Sequence, residues 1–142
     1  MSEAGKIGDR DRYNQPIDFS GMRYKNITPS DMDGRIYFFE IHKMIFIFIE
    51  LKYNGTPCEG GQRWAFQNLV DVITVPSIYI IADHYVHSKS QEIPANYCII
   101  REYYVRGKWH PPKNKGTTLK YGVDTFLTRH GFQDYVKYIP ES

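Results

Sequence analysis

Glu50 and Lys52 lie two residues apart, just past the apolar run Met-Ile-Phe-Ile-Phe-Ile of residues 44–49. Successive side chains of a β-strand take opposite faces, so this spacing puts a carboxylate and an ammonium on one face. A preceding strand opens with Asp31-Met32-Asp33-Gly34. Hairpin geometry relates the two. If residues 40–43 form a four-residue loop, Phe39 pairs with Met44 and Asp33 falls opposite Glu50. If only His42-Lys43 form the loop, Ile41 pairs with Met44 and Asp33 falls opposite Lys52. Directly opposed residues have Cβ atoms about 4.5–5.5 Å apart, so either register sets Asp33 beside the Glu-x-Lys pair. Asp31 has the same strand parity and competes for the role of first carboxylate. Neighbouring carboxylates repel; Lys52 offsets part of that repulsion and a divalent cation offsets more. Hard cations such as Mg²⁺ take oxygen ligands, typically one or two carboxylates with waters and a substrate phosphate. A lysine beside such a site can hold or deprotonate water and neutralise charge on a phosphate in flight. The chemistry these residue types imply is metal-assisted hydrolysis of a phosphodiester.

Several elements must position them. Residues 35–41 and 44–53 are rich in Ile, Phe and Tyr around a polar break, a β-hairpin signal. The second run is apolar on both faces, as in a central strand buried on each side. Asn54-Gly55-Thr56-Pro57 ends it with turn chemistry. From residue 59 to 73 the period turns helical, with Trp64, Phe66, Leu69, Val70 and Ile73 as an apolar stripe that reads as core, and Pro76 stops the helix. Residues 77–82 and 97–105 read as strands. A basic loop over 106–120 and a last helix from Asp124, a good N-cap, to Arg129 follow. Gly131 breaks that helix before residues 132–138. Upstream, residues 1–15 read as a loose arm, 22–25 as a short strand, and 28–31 as a turn around Pro29. A helix between two central strands implies a crossover and a parallel pair. The expected fold is α/β (α+β): one domain over residues 1–142, with a mixed β-sheet, an antiparallel hairpin and a crossover helix.

The segment from Pro29-Ser30-Asp31-Met32-Asp33-Gly34 through the strand ending Glu50-Leu51-Lys52 resembles the PD-(D/E)xK nuclease superfamily, the restriction-endonuclease-like fold that includes Holliday-junction resolvases and many phage nucleases. Gln62, in Glu59-Gly60-Gly61-Gln62-Arg63-Trp64, matches a glutamine often found near the start of that family's following helix. The likeness covers roughly residues 19–82. It implies a restriction-endonuclease-like core in which Asp33 and Glu50 bind Mg²⁺, with Mn²⁺ able to substitute. It further implies the Leu51 carbonyl as another metal ligand, Lys52 as catalytic lysine, and Gln62 as an orienting residue. A glutamate from an N-terminal helix often completes the family's site; Glu3 is the one acidic candidate of that kind here. The resemblance also implies DNA as partner, with RNA left open, a homodimer, and a phage or mobile-element origin.

Composition bounds these readings. With 142 residues, 42% hydrophobic and 24% charged, the chain has the profile of one packed domain rather than a disordered or low-complexity chain. No apolar run approaches the 20 or so residues of a bilayer span, and residues 1–12 lack a signal peptide's apolar stretch, which reads as cytoplasmic. Cys58 and Cys98 are in no C-x-x-C pair and read as reduced thiols. A net charge of +2 is too mild to declare a nucleic-acid binder. Yet no acidic residue falls between Glu102 and Asp124, while Arg106, Lys108, Lys113, Lys115 and Lys120 do, with Trp109 and His110 among them. That tract, with Arg23 and Lys25, is the expected grip on a phosphate backbone. His84 and His87 read as a surface loop rather than a zinc site, and Asn26-Ile27-Thr28 as a chance glycosylation match. Two rivals stand beside the nuclease: a nuclease-fold protein that binds nucleic acid or a protein without cutting, and a module whose aromatics form a protein interface.

Overall fold

The structure is a computed structural model that describes residues 17–19, 21–22, 30–32, 35–39, 45–58 and 61–136. Arg23, Lys25, Asp33, the arm over 1–15, and Glu3 lie outside the described residues, as does most of the strand expected at 22–25.

A six-stranded mixed sheet carries the fold. Its strands are β2 (Ser30–Met32), β3 (Arg35–Phe39), β4 (Phe46–Tyr53), β5 (Ser77–His84), β7 (Ile99–Val105) and β8 (Lys108–His110), in that spatial order. Two short strands, β1 (Ile17–Asp18) and β6 (Ile93–Pro94), pair in parallel apart from it. β3 and β4 form the expected antiparallel hairpin, with Phe39 opposite Phe46 and Ile36 opposite Ile49. This is the register of the shorter anticipated loop. β4 and β5 run parallel, joined by the crossover helix α1 (Gly61–Val72). The fold is thus α/β with a mixed sheet, as the sequence predicts.

The two central strands are apolar on both faces because both faces are covered. Phe48, Tyr79, Ile81 and Tyr104 pack against Phe66 and Val70 of α1. Ile47, Ile49, Ile78, Ile80, Ala82 and Ile100 pack against Leu119, Val123, Phe126 and Leu127 of helix α2 (Leu119–Arg129). Each fully buried side chain of this size stabilises the fold by about 1.5–3 kcal/mol. A short helix, α3 (Gln133–Val136), follows the break at Gly131, whose φ is +89°.

The structure corrects the sequence reading at several points. Trp64 is 61% exposed and Leu69 38%, so neither belongs to the core. At 100° per residue, Trp64 stands about 200° around the helix from Phe66, and the buried face runs through Phe66 and Val70 instead. Ser30 and Asp31 belong to β2 rather than a turn, pairing with Tyr37 and Ile36. The expected strand from residue 97 begins at Ile99, because residues 95–97 form a 3₁₀ turn. The basic tract is not one loop. Arg106 and Gly107 have φ of 28° and 78°, the two positive values of a tight hairpin turn, and return the chain into β8. An arginine in place of the usual Asn or Asp hides that turn from sequence. The last helix starts five residues before Asp124: Thr118 is the N-cap, its hydroxyl accepting from the Tyr121 N–H at 3.2 Å. Asp124 sits one turn inside and accepts from Lys120 at 2.7 Å, a pair i,i+4 apart. Finally, His84 is the buried last residue of β5, not a surface-loop residue; its Nδ1 accepts from the Val86 N–H at 3.3 Å.

Candidate functional site

Glu50 and Lys52 occupy the carboxyl-terminal half of β4 and share the face that α1 covers. The Lys52 ammonium lies 3.2 Å from Glu50 Oε2. Glu50 is 2% exposed and accepts from two further donors among the described residues. The Tyr79 hydroxyl donates to Oε1 at 2.6 Å, and the Cys58 thiol donates to Oε2 at 3.1 Å. Both donors are held protonated. Burial, then the charge of Glu50 and the hydrogen bond to it, push the Tyr79 hydroxyl far above its ordinary value. The same causes in the same order push the Cys58 thiol up to about 11. Lys52 has 28% of its side chain exposed and is the solvent-facing member of the cluster.

One row further along the sheet, the parallel register sets Lys52 beside Asp83. Asp83 accepts from Arg101 Nε at 3.1 Å, Arg101 Nη2 at 2.5 Å and the Gly55 N–H at 3.0 Å. Burial alone would raise the Asp83 pKa, but the Arg101 bonds, the Gly55 N–H and nearby His84 hold it below its ordinary value. Arg101 reaches Asp83 because β7 bulges there: Ile81 pairs with Glu102 and Ala82 with Ile100, leaving Arg101 as the extra residue. Glu102 falls in the row of Glu50 and Ile81. It is gripped by Arg63 of α1 through Nη1 and Nη2 at 3.3 Å each. The same guanidinium donates to the Cys58 carbonyl at 3.0 Å and stacks 3.9 Å from the centre of the Trp109 ring. This face therefore carries three carboxylates, each with its own cation.

The structure brings some expected residues together and separates others. Glu50, Leu51 and Lys52 are consecutive in β4, with Leu51 on the opposite face, against the α2-side core. Gln62 is the second residue of α1. Asp31 pairs with Ile36, which pairs with Ile49, so its register position is one residue out of phase with Glu50 and two strands away. The basic tract does not converge on Glu50. Trp109 packs on the α1 side, so its neighbours Lys108 and His110 alternate to the other side, where His110 stacks on Tyr103. Lys113 and Lys115 are exposed in the following loop, and Lys120 is engaged by Asp124.

The residues that sequence reasoning missed are Tyr79, Cys58, Asp83 and Arg101. Tyr79 and Asp83 alternate with Ile81 on β5, a legible signal once the parallel pairing is aligned in register. Nothing in the sequence points to Cys58, which reaches Glu50 through the turn at Asn54-Gly55. Arg101 depends on a bulge that its sequence does not announce.

Oxygen-rich sites suit a hard cation, and Glu50 supplies one carboxylate, whose oxygens already meet Tyr79, Cys58 and Lys52. Among the described residues no group of three or more His, Cys, Asp or Glu side chains is placed to hold a metal ion. The described residues therefore do not complete the ligand set by themselves; Asp33 is the remaining expected carboxylate. Both cysteines are free and buried. No helix among the described residues is long and apolar enough to cross a membrane. The chain matches no protein-family model, no curated protein and no solved structure.

Proposed function

We propose that this chain is a metal-dependent nuclease that hydrolyses phosphodiester bonds in DNA. One observation carries the reading: a carboxylate and an ammonium, Glu50 and Lys52, meet at 3.2 Å toward the carboxyl end of a central strand, beside a parallel neighbour. In open α/β sheets ligands bind outside the carboxyl ends of the strands, which is where Lys52 and Asp83 lie. Lys52 polarises or deprotonates the attacking water and opposes charge gathering on the phosphate. Glu50, with Asp33 and the Leu51 carbonyl, holds Mg²⁺ or Mn²⁺, which supplies Lewis-acid polarisation of the phosphate when bound. Gln62 orients substrate or water. A cytoplasmic setting and a homodimer with one site per strand belong to the same proposal.

The test is direct. The full chain is incubated with linear, single-stranded and branched DNA in Mg²⁺, Mn²⁺ or EDTA. Cutting is expected with metal and not with EDTA, and Lys52→Ala abolishes it while circular dichroism and most DNA binding persist. Absence of cutting on every substrate with either metal overturns the reading. A second reading, a nuclease-fold protein that binds without cutting, is favoured by the occupied oxygens of Glu50, which already accept from Tyr79, Cys58 and Lys52. Salt-sensitive DNA binding without cleavage is its signature.

A further inference from the structure

We propose that Lys52 and Arg101 form a seat for one phosphate of the substrate backbone, with Asp83 as the residue that aims Arg101. This rests on the nuclease reading for its substrate class and goes beyond it in assigning Arg101 and Asp83. Three observations support it.

Within the basic tract Lys108 alternates to the other side of the sheet from Glu50 and Lys120 is engaged by Asp124, so the cations that already share the face of Glu50 are the ones to consider. Arg63, Lys52 and Arg101 share its face. Arg63 is already committed to Glu102, the Cys58 carbonyl and the Trp109 ring. Arg101 is not. Its Nε and Nη2 engage Asp83 side-on, and three of its five N–H donors remain on Nη1 and the outer edge of Nη2. It keeps 22% of its side chain exposed, against 28% for Lys52, so both cations reach solvent.

Their spacing suits one anion. Lys52, Asp83 and Arg101 span β4, β5 and β7, two strand spacings or about 10 Å between the outer backbones. Arg101 already leans inward to Asp83, and Lys52, held by one contact to Glu50, is long enough to meet it over a single tetrahedral group. A guanidinium with one edge fixed presents its other edge at little entropic cost, the geometry arginine uses toward phosphate. The bulge matters too: it is the device that turns Arg101 toward Asp83, and bulges that re-aim a side chain concentrate beside active sites.

The test reads binding without catalysis. The full chain in EDTA is titrated with a fluorescein-labelled DNA duplex, and anisotropy is followed across a salt series. Arg101→Met is expected to weaken binding about tenfold, the worth of one charged hydrogen bond, and to reduce the salt slope by about 0.9. Asp83→Asn is expected to weaken binding severalfold although it makes the protein more positive; a charge-only effect would tighten it. Arg101→Lys keeps the slope but not the affinity, and it serves as the decisive variant if Arg101→Met does not fold. Unchanged affinity and slope in the folded Arg101 variant, tighter binding by Asp83→Asn, or no duplex binding by the wild-type chain at low salt overturns the seat. Slope loss in a wild-type background that cuts nothing would leave the seat standing and remove hydrolysis. Cutting by Arg101→Met with unchanged KM would do the reverse.

Discussion

Replacing Glu50 by Gln should change stability little while removing activity. The carboxylate is almost wholly buried, and its charged partner among the described residues is a lysine that is itself partly in water. The desolvation cost of a buried ion is several kcal/mol after relaxation, and a partly solvated lysine returns only part of it. In Glu50→Gln the amide oxygen keeps the Tyr79 bond, while the amide nitrogen meets a thiol and an ammonium, forfeiting about 1.5–3 kcal/mol of charge-assisted bonding. The two terms nearly cancel, so the expected change lies between about 1 kcal/mol lost and 2 kcal/mol gained. Lys52→Met is the opposite perturbation: it takes the lysine away from a buried charge that Tyr79 and Cys58 still contact. Breaking a buried pair costs about 3–5 kcal/mol, which the exposure of Lys52 reduces to about 1–3. In the double variant no charge is stranded, so its stability should approach that of Glu50→Gln alone, a coupling of about 1–3 kcal/mol. Urea unfolding with linear extrapolation measures all four corners of the cycle, and equal m-values confirm that only stability has changed. A loss above about 2 kcal/mol in Glu50→Gln, with cleavage retained, would refute the reasoning by making Glu50 a structural anchor.

Two further outcomes are expected. Because burial and Glu50 hold the Cys58 thiol up at about 11, and burial with Asp83 holds Cys98 at about 12, both should resist a disulfide reagent at pH 8 until urea unfolds the chain. The raised Cys58 value contributes stability that is complete below the unfolded thiol's pKa of about 8.5 and is lost as pH rises through 11, so urea midpoints should fall over that window in wild type and less in Cys58→Ala. In α2, a Cβ on Gly122 would run into the buried Ile100 Cδ1. Gly122→Ala should therefore lower stability by about 1–2 kcal/mol despite alanine's better helix propensity, and Ile100→Val should rescue it; a stabilised single variant would show that the helix can shift.

What the sequence revealed and what it hid have different physical origins. The β3–β4 hairpin, the α1 crossover and the parallel β4–β5 pair were legible because periodicity and burial agree there: residues 46–49 and 78–82 are apolar on both faces. Glu50 and Lys52 were legible because a strand's period of two fixes which residues share a face. Trp64 misled because tryptophan lowers hydrophobic free energy wherever it packs, and its place on a helix depends on which stripe meets the sheet. Asp124 misled because a good capping residue also makes a good i,i+4 partner. Arg101 was illegible since one inserted residue in β7 reverses the facing of everything beyond it, and only the pairing with β5 reveals the insertion.

The same pairing explains why the cluster can coexist with a stable fold. Three carboxylates on one face of a sheet would repel across adjacent rows, yet Glu50, Asp83 and Glu102 each meet a different cation from a different element: Lys52 from β4, Arg101 from the bulge, Arg63 from α1. Two of those cations are fixed by two hydrogen bonds apiece to one carboxylate, and Lys52 by a single contact. A group meant only to neutralise Glu50 would be better placed by a fork than by a flexible ammonium. The loosest and most exposed of the three partners stands beside the most buried acid, next to an arginine with donors to spare. That asymmetry leaves Lys52, alone of the three cations held by a single contact, free to turn toward a substrate, which the proposed reaction requires.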